Sequence, residues 1–168
     1  KESPLVRLED HYEWDYEDFE QKIKEQNVKL FIFCTPLNPV GRVWKRDEIV
    51  KVLDICKKYG VYVIADEIHQ DIIMDGYQKV TAAATGNYDE IMVTLTAATK
   101  TFNLAGCQNS IVVIPDETLR KRYDDYLTKL RITGGNAFGY VAVQSAYEGG
   151  RAWLDEVLNI IEENYQLM

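Results

Sequence analysis

Two short, unbroken apolar runs flank a single amphipathic stretch, and this arrangement constrains the fold more than any other feature of the chain. The first run is Lys29-Leu30-Phe31-Ile32-Phe33-Cys34 and the second is Val61-Tyr62-Val63-Ile64-Ala65. Continuous apolar character without alternation predicts strands buried on both faces. Between them, Asp47 to Tyr59 repeats apolar residues at Ile49, Val52 or Leu53, and Cys56, and Gly60 stands where a helix would stop. Strand, helix and strand with a crossover of this length predict parallel strands in a right-handed βαβ unit. The expected fold class is therefore α/β, a mostly parallel sheet with flanking helices.

The rest of the chain extends this plan. Residues 1–14 are polar and mixed, with Pro4 blocking regular helix, and the absence of an initial methionine fits a processed or excised piece. Asp15 is a candidate N-cap for a short surface helix through Gln26, carrying Phe19 and Ile23 four apart. Residues 70–89 hold Asp75-Gly76 and Gly86-Asn87 turn signals and little periodicity, so irregular structure with at most one short helix is expected. Ile91 to Leu95 reads as a third strand and Asn109 to Ile114 as a fourth. Asp116 caps a helix through Arg131, with Leu119, Tyr123, Tyr126, Leu127 and Leu130 as a packing face. After Gly134-Gly135, Phe138 to Tyr147 and Ala152 to Met168 complete the helices.

Composition excludes several classes of function. The 168 residues carry a net charge of −8 and no Lys/Arg cluster, which disfavours a nucleic-acid partner. No apolar run approaches the roughly 20 residues of a membrane-spanning helix, and a cytoplasmic address is the default expectation. Cys34, Cys56 and Cys107 are odd in number and set in apolar segments, so they read as reduced core thiols. His11 and His69 lack partners at metal-ligand spacing, and no metal site is expected.

Chemistry-bearing residues follow each strand. The first run ends in Thr35-Pro36-Leu37-Asn38-Pro39-Val40-Gly41, the second in Asp66-Glu67-Ile68-His69, and the third in Thr96-Ala97-Ala98-Thr99-Lys100-Thr101. Ligands of open parallel sheets bind outside the carboxyl ends of the strands, so Asn38, Asp66 with His69, and Lys100 should converge. A lysine among small uncharged residues after an apolar run is expected to be poorly solvated, which lowers its pKa and favours Schiff-base chemistry with a carbonyl. Each residue also has a structural reading. Asp66 could cap a helix, His69 could be a hydrogen-bonded structural imidazole, and Asn38-Pro39 could simply start a turn. Arg42 and Lys45 read as solvated charges.

Asn38-Pro39-Val40-Gly41, Asp66-Glu67-Ile68-His69 and Thr99-Lys100-Thr101-Phe102-Asn103-Leu104-Ala105-Gly106 resemble the cofactor motifs of fold-type I pyridoxal-phosphate enzymes of the class I/II aminotransferase family. The Asp-Glu-Ile-His and Lys-Thr-Phe-Asn letters are most similar to the cystathionine β-lyase and maltose-regulator subgroup. The resemblance implies part of the large domain of an aspartate-aminotransferase-like fold over residues 1–150, with 151–168 beginning a long helix toward a C-terminal small domain. It implies pyridoxal 5′-phosphate as cofactor, Lys100 as Schiff-base lysine and proton shuttle, Asp66 as partner of the pyridinium nitrogen, and Asn38 and His69 on the ring oxygen. Ala97 departs from the serine many relatives place there for the phosphate, so Thr96 or Thr99 is expected to substitute.

Family members are more than twice this long, with an upstream phosphate loop and a downstream substrate-carboxylate arginine, so a fragment with weak or no activity of its own is expected. In the whole enzyme the resemblance implies C–S β-elimination on a small amino acid substrate, within a homodimer. Amino-group transfer to a 2-oxo acid is the alternative. A cofactor-free interaction module on an enzyme-derived fold is a second one.

Overall fold

The computed structural model describes residues 2–132 and 134–168. Lys1 and Thr133, which fall at the head of the expected opening segment and inside the expected 1–150 span, lie outside the described residues. A small antiparallel hairpin, β1 (Val6–Arg7) with β2 (Tyr12–Glu13), precedes helix α1 (Tyr16–Glu25). The Asp15 side chain accepts a hydrogen bond from the Asp18 amide at 2.9 Å, satisfying one of the helix's free N–H groups.

Strand β3 (Leu30–Cys34), helix α2 (Arg46–Lys58) and strand β4 (Tyr62–Asp66) form the expected unit, and β3 pairs parallel to β4. Glu48 closes the start of α2 by accepting from the Lys45 amide at 2.7 Å. Gly60, at φ +63°, ends it in the left-handed conformation that favours glycine. Arg42 is not the solvated charge its sequence context suggests. Its guanidinium donates to Glu48 at 2.6 Å and lies over the Trp44 ring, 4.7 Å from the centroid.

β5 (Met92–Thr96) adds parallel to β4, and β6 (Ile111–Val113) adds antiparallel to β5, giving the order β3-β4-β5-β6. The reversal at β6 has a simple origin. The segment after Thr96 is used up by the four-residue helix α3 (Ala98–Thr101) and a 3-10 turn at Ala105–Cys107, and contains no crossover helix. The excursion between β4 and β5 is largely irregular, with 3-10 turns at Ala82–Ala84 and Asp89–Ile91. Helices α4 (Glu117–Lys129), α5 (Ala137–Gly149) and α6 (Arg151–Leu167) follow.

The core occupies one face of the sheet. Phe33, Val63, Ala65 and Met92 pack beneath Phe19 and Ile23 of α1 and Ile49, Val52, Leu53 and Cys56 of α2. Each fully buried side chain of this size contributes roughly 1.5–3 kcal/mol. Trp14, Phe19, Phe31, Phe33 and Trp44 form an aromatic cluster at the β3 end of this core, with ring centroids between 4.9 and 6.1 Å apart.

The opposite face is exposed along β3 and only half-covered at Ile64, Val93 and Leu95, which corrects the expectation of strands buried on both sides. Leu30 and Ile32 are 49% and 65% exposed, because the helices cover only one side of β3. The packing face expected on α4 and the apolar helix expected as α5 form but are only partly covered, with Leu119, Tyr123, Leu127 and Val143 half-buried. No α4 residue is buried, and in α5 only Gly139 is. Of the three thiols, all free, only Cys56 is fully in the core.

Candidate cofactor site at the carboxyl ends of the strands

The parallel register brings the strand ends into one row. Cys34 pairs with Asp66, and Asp66 with Leu95, so the segments that follow β3, β4 and β5 leave the sheet from a common rim. Alternation along β4 sets Asp66 on the face of Tyr62 and Ile64, opposite the buried Val63 and Ala65. One Asp66 carboxylate oxygen, Oδ1, accepts from the Ile68 amide at 3.2 Å and folds the chain into a turn. That turn tightens through Gln70 N–H donating to the Glu67 carbonyl and Ile72 N–H to the His69 carbonyl, at 2.9 and 3.0 Å.

Asn38 and His69 share a cleft. It has a volume of about 850 Å³ and lies between the loop after β3, the turn after β4, the β1–β2 hairpin, and Ile161 and Tyr165 of α6. The Asn38 amide is anchored to the strand end through the Cys34 sulfur at 3.5 Å. Burial pushes the Cys34 thiol up, as does the neighbouring Asp66 charge, while the Asn38 bond opposes both. Asp66, Thr96, Thr99 and Lys100 do not line this cleft. The structure therefore joins Asn38 to His69 in one hollow and relates Asp66 and Lys100 to them through the common rim.

Lys100 is exposed, third of the four residues of α3, which corrects the expectation of a desolvated amine. The small residues around it do pack, with Ala97 and Ala98 buried, but they carry the backbone inward and leave the lysine outside. Ala97 precedes α3 with no side-chain cap, as alanine must. Thr96 ends β5, and Thr99 is half-buried with its carbonyl accepting from the Leu104 amide at 2.9 Å.

The donor set fits a flat, anionic heteroaromatic group. Among the described residues, Nδ1 of His69 and Oγ1 of Thr96 are buried polar atoms without a partner. Such orphans are costly unless a ligand or water meets them. The same rim of strand ends carries a carboxylate able to accept from a ring N–H, a carboxamide able to donate to a ring oxygen, and a primary amine.

Sequence reasoning missed what holds these groups in place. The Thr101 hydroxyl donates to Asp71 Oδ2 at 2.8 Å. The Phe102 ring meets Tyr147 of α5 edge-on at 5.6 Å and Trp153 of α6 at 6.0 Å. Glu67 is paired with Lys79. Only the adjacency of Thr101 and Glu67 to motif residues pointed toward these roles, since their partners lie at separations that match no local period.

A family model described as aminotransferase class I and II matches residues 3–167. The cystathionine beta-lyase PatB of Bacillus subtilis (strain 168) is 39% identical over 163 residues, covering 96% of this chain and 42% of that protein. Human kynurenine–oxoglutarate transaminase 1 is 32% identical over 93 residues, covering 55% of this chain and 22% of that protein. Among solved structures, the PLP-bound C-S lyase from Staphylococcus hominis superimposes with a TM-score of 0.91 at 34% identity, covering 98% of this chain and 41% of that one. The chain thus spans about two fifths of the length of the curated relatives it matches over most of its own length.

Proposed function

Because this chain belongs to the class I and II aminotransferase family, we propose that it supplies the ring-binding and lysine-bearing part of a pyridoxal-phosphate site, and that the whole protein performs C–S β-elimination on an amino acid of the cystathionine type. The observation that carries the site is the row Cys34-Asp66-Leu95, from which all three motifs depart. Resemblance to a cystathionine β-lyase at 39% identity over 96% of the chain, against 27–32% over 55–70% for kynurenine transaminases, supports the lyase reading over amino-group transfer. Assembly as a homodimer and a cytoplasmic address belong to the same reading, as does a division at residue 150 between large-domain residues 1–150 and a helix 151–168 leading to a small domain.

Bound pyridoxal phosphate supplies a reactive aldehyde and a ring that draws electron density away from the substrate α-carbon. The residues here do the rest. Asp66 accepts a hydrogen bond from the ring N–H and keeps that nitrogen protonated. Its carboxylate is already oriented by the Ile68 amide. Asn38, through its side-chain amide, and His69, which lines the same cleft, would both bond the ring oxygen. The Thr96 and Thr99 hydroxyls donate to phosphate oxygens. The Lys100 amine would hold the cofactor in the resting enzyme, and its Nζ would take the proton from the substrate α-carbon. With the cofactor in place, the substrate's β-carbon–sulfur bond would break, giving a thiol, pyruvate and ammonia as products.

Two measurements test the reading. Borohydride added after pyridoxal phosphate should fix the cofactor on Lys100, and Lys100→Ala should abolish that fixation. Labelling spread over surface lysines instead would favour a cofactor-free module. For the whole protein, pyruvate released from cystathionine without an added keto acid supports elimination. Turnover that depends on a keto acid defeats it in favour of transamination.

A further inference from the structure

We propose that Asp71 is a positioning residue for Lys100, acting through the buried hydroxyl of Thr101. This rests on the cofactor reading above and deepens it. The helix that carries Lys100 is a single turn, too short to be stable alone. Its first position has no side-chain cap, and Lys100 itself makes no hydrogen bond or ion pair among the described residues. Nothing on the lysine therefore aims it, and its placement is inherited from the backbone of α3.

Two contacts hold that backbone. Both lie at its C-terminal end, where Phe102, directly after α3, wedges between Tyr147 and Trp153. Thr101, the last residue of α3 and 1% exposed, donates to the Asp71 carboxylate at 2.8 Å, a charge-assisted bond in a site sheltered from water. Asp71 lies two residues beyond His69 in the turn that begins at Asp66. The bond thus ties the segment carrying the proposed ring partners directly to the segment carrying the amine. The strands are already locked to each other by β-pairing, including Glu67 N–H to the Leu95 carbonyl at 2.8 Å, so what the bond adds is the setting of α3 on that frame. Tyr147 closes the arrangement, and burial first, then the Asp71 charge, push its phenol pKa up.

The test compares Thr101→Val, Asp71→Asn, the conservative Thr101→Ser and the Thr101→Val/Asp71→Asn pair in this chain. One readout uses no cofactor: hydrogen exchange at the Phe102 and Leu104 amides, which close α3. The other is pyridoxal-phosphate affinity together with the fraction of borohydride-fixed cofactor found on Lys100. Thr101→Val and Asp71→Asn should speed that exchange and weaken affinity about tenfold, typical of a lost outer hydrogen-bond partner. They should also spread labelling to other lysines. Thr101→Ser should restore both readouts, and the pair should be no worse than either single variant. Wild-type exchange and wild-type Lys100 selectivity in both Thr101→Val and Asp71→Asn overturn the proposal. If the unsubstituted chain shows no preference for Lys100, the cofactor reading falls and this role falls with it, even where exchange responds.

Discussion

The ammonium of Lys79 donates to the carboxylate of Glu67, a residue 1% exposed that directly follows Asp66. The second Glu67 oxygen accepts from the Ala82 amide at 2.8 Å, and Lys79 also reaches Gln70 and Thr81, at 3.1 and 2.9 Å. One buried carboxylate thereby ties the start of the irregular excursion that leaves the sheet beside the site to its middle, at Lys79–Ala82. Removing the cation strands a buried charge, which costs about 3–5 kcal/mol. Lys79→Met should lose stability on that scale in urea unfolding, and adding Glu67→Gln should return part of it. A Lys79→Met variant as stable as the parent would show that the pair is not what holds the excursion.

Asp66→Asn separates chemistry from folding. The one hydrogen bond of the Asp66 side chain, to the Ile68 amide, can still be accepted by an asparagine oxygen. Circular dichroism and melting temperature should therefore stay near the parent's. In the whole protein kcat/KM should fall about a hundredfold or more, the scale of losing a charge-stabilising partner. Equal losses of fold and activity would assign Asp66 a structural role.

Gly150 joins α5 to α6 under the Phe102 ring. A Cβ there would lie 2.5 Å from the Ala146 carbonyl oxygen and 2.6 Å from the ring, so something must move. Gly150→Ala should destabilise the chain by about 1–3 kcal/mol, as overpacking does. It should also raise hydrogen exchange in α3, because Phe102 is one of its two anchors. Unchanged exchange there would show that the helix pair and the lysine segment are uncoupled.

Burial pushes the Cys56 thiol up to about 12, and the residue is 0% exposed. Alkylation at neutral pH should reach the half-buried Cys107 and Cys34 in the native chain and leave Cys56 unmodified until denaturant is added. Native-state labelling of Cys56, read by peptide mass, would mean that the core opens readily.

His11 brackets the hairpin with Asp10 at 2.6 Å and Glu13 at 3.0 Å, and these hydrogen bonds, Asp10 first, hold its pKa above the ordinary 6.5. A raised folded-state value contributes stability that is fully present below the unfolded pKa and is lost as pH rises through the folded one. The hairpin should loosen over that window, and His11→Ala should remove the dependence. An imidazole titration by NMR with a midpoint at or below 6.5 would contradict this.

Much of the chain could be read residue by residue. Asp15 and Asp116 cap the helices that follow them, with bonds of 2.9 and 2.7 Å to the third amide beyond, and Gly60 ends α2, because capping depends only on neighbours. The alternation of apolar runs and an amphipathic helix was enough for parallel β3 and β4. The three motifs at their ends were enough for the family. Other features were not legible. Lys100 sits among small residues whose sequence context implies burial, yet the side chain is exposed, since burial depends on what lies above it. Leu30 and Ile32 read as core, yet they face a side of the sheet that no helix here covers.

Local chemistry therefore determined the elements, their caps, their order and the identity of the residues set at the strand ends. Tertiary structure alone decided the reversed direction of β6, the exposed face of β3, the exposure of the lysine, and the contacts from Asp71 to Thr101 and from Lys79 to Glu67. The physical reason is range. A cap or an apolar period is complete within a few residues, whereas exposure and these hydrogen bonds are relations between groups that meet only when the strands align.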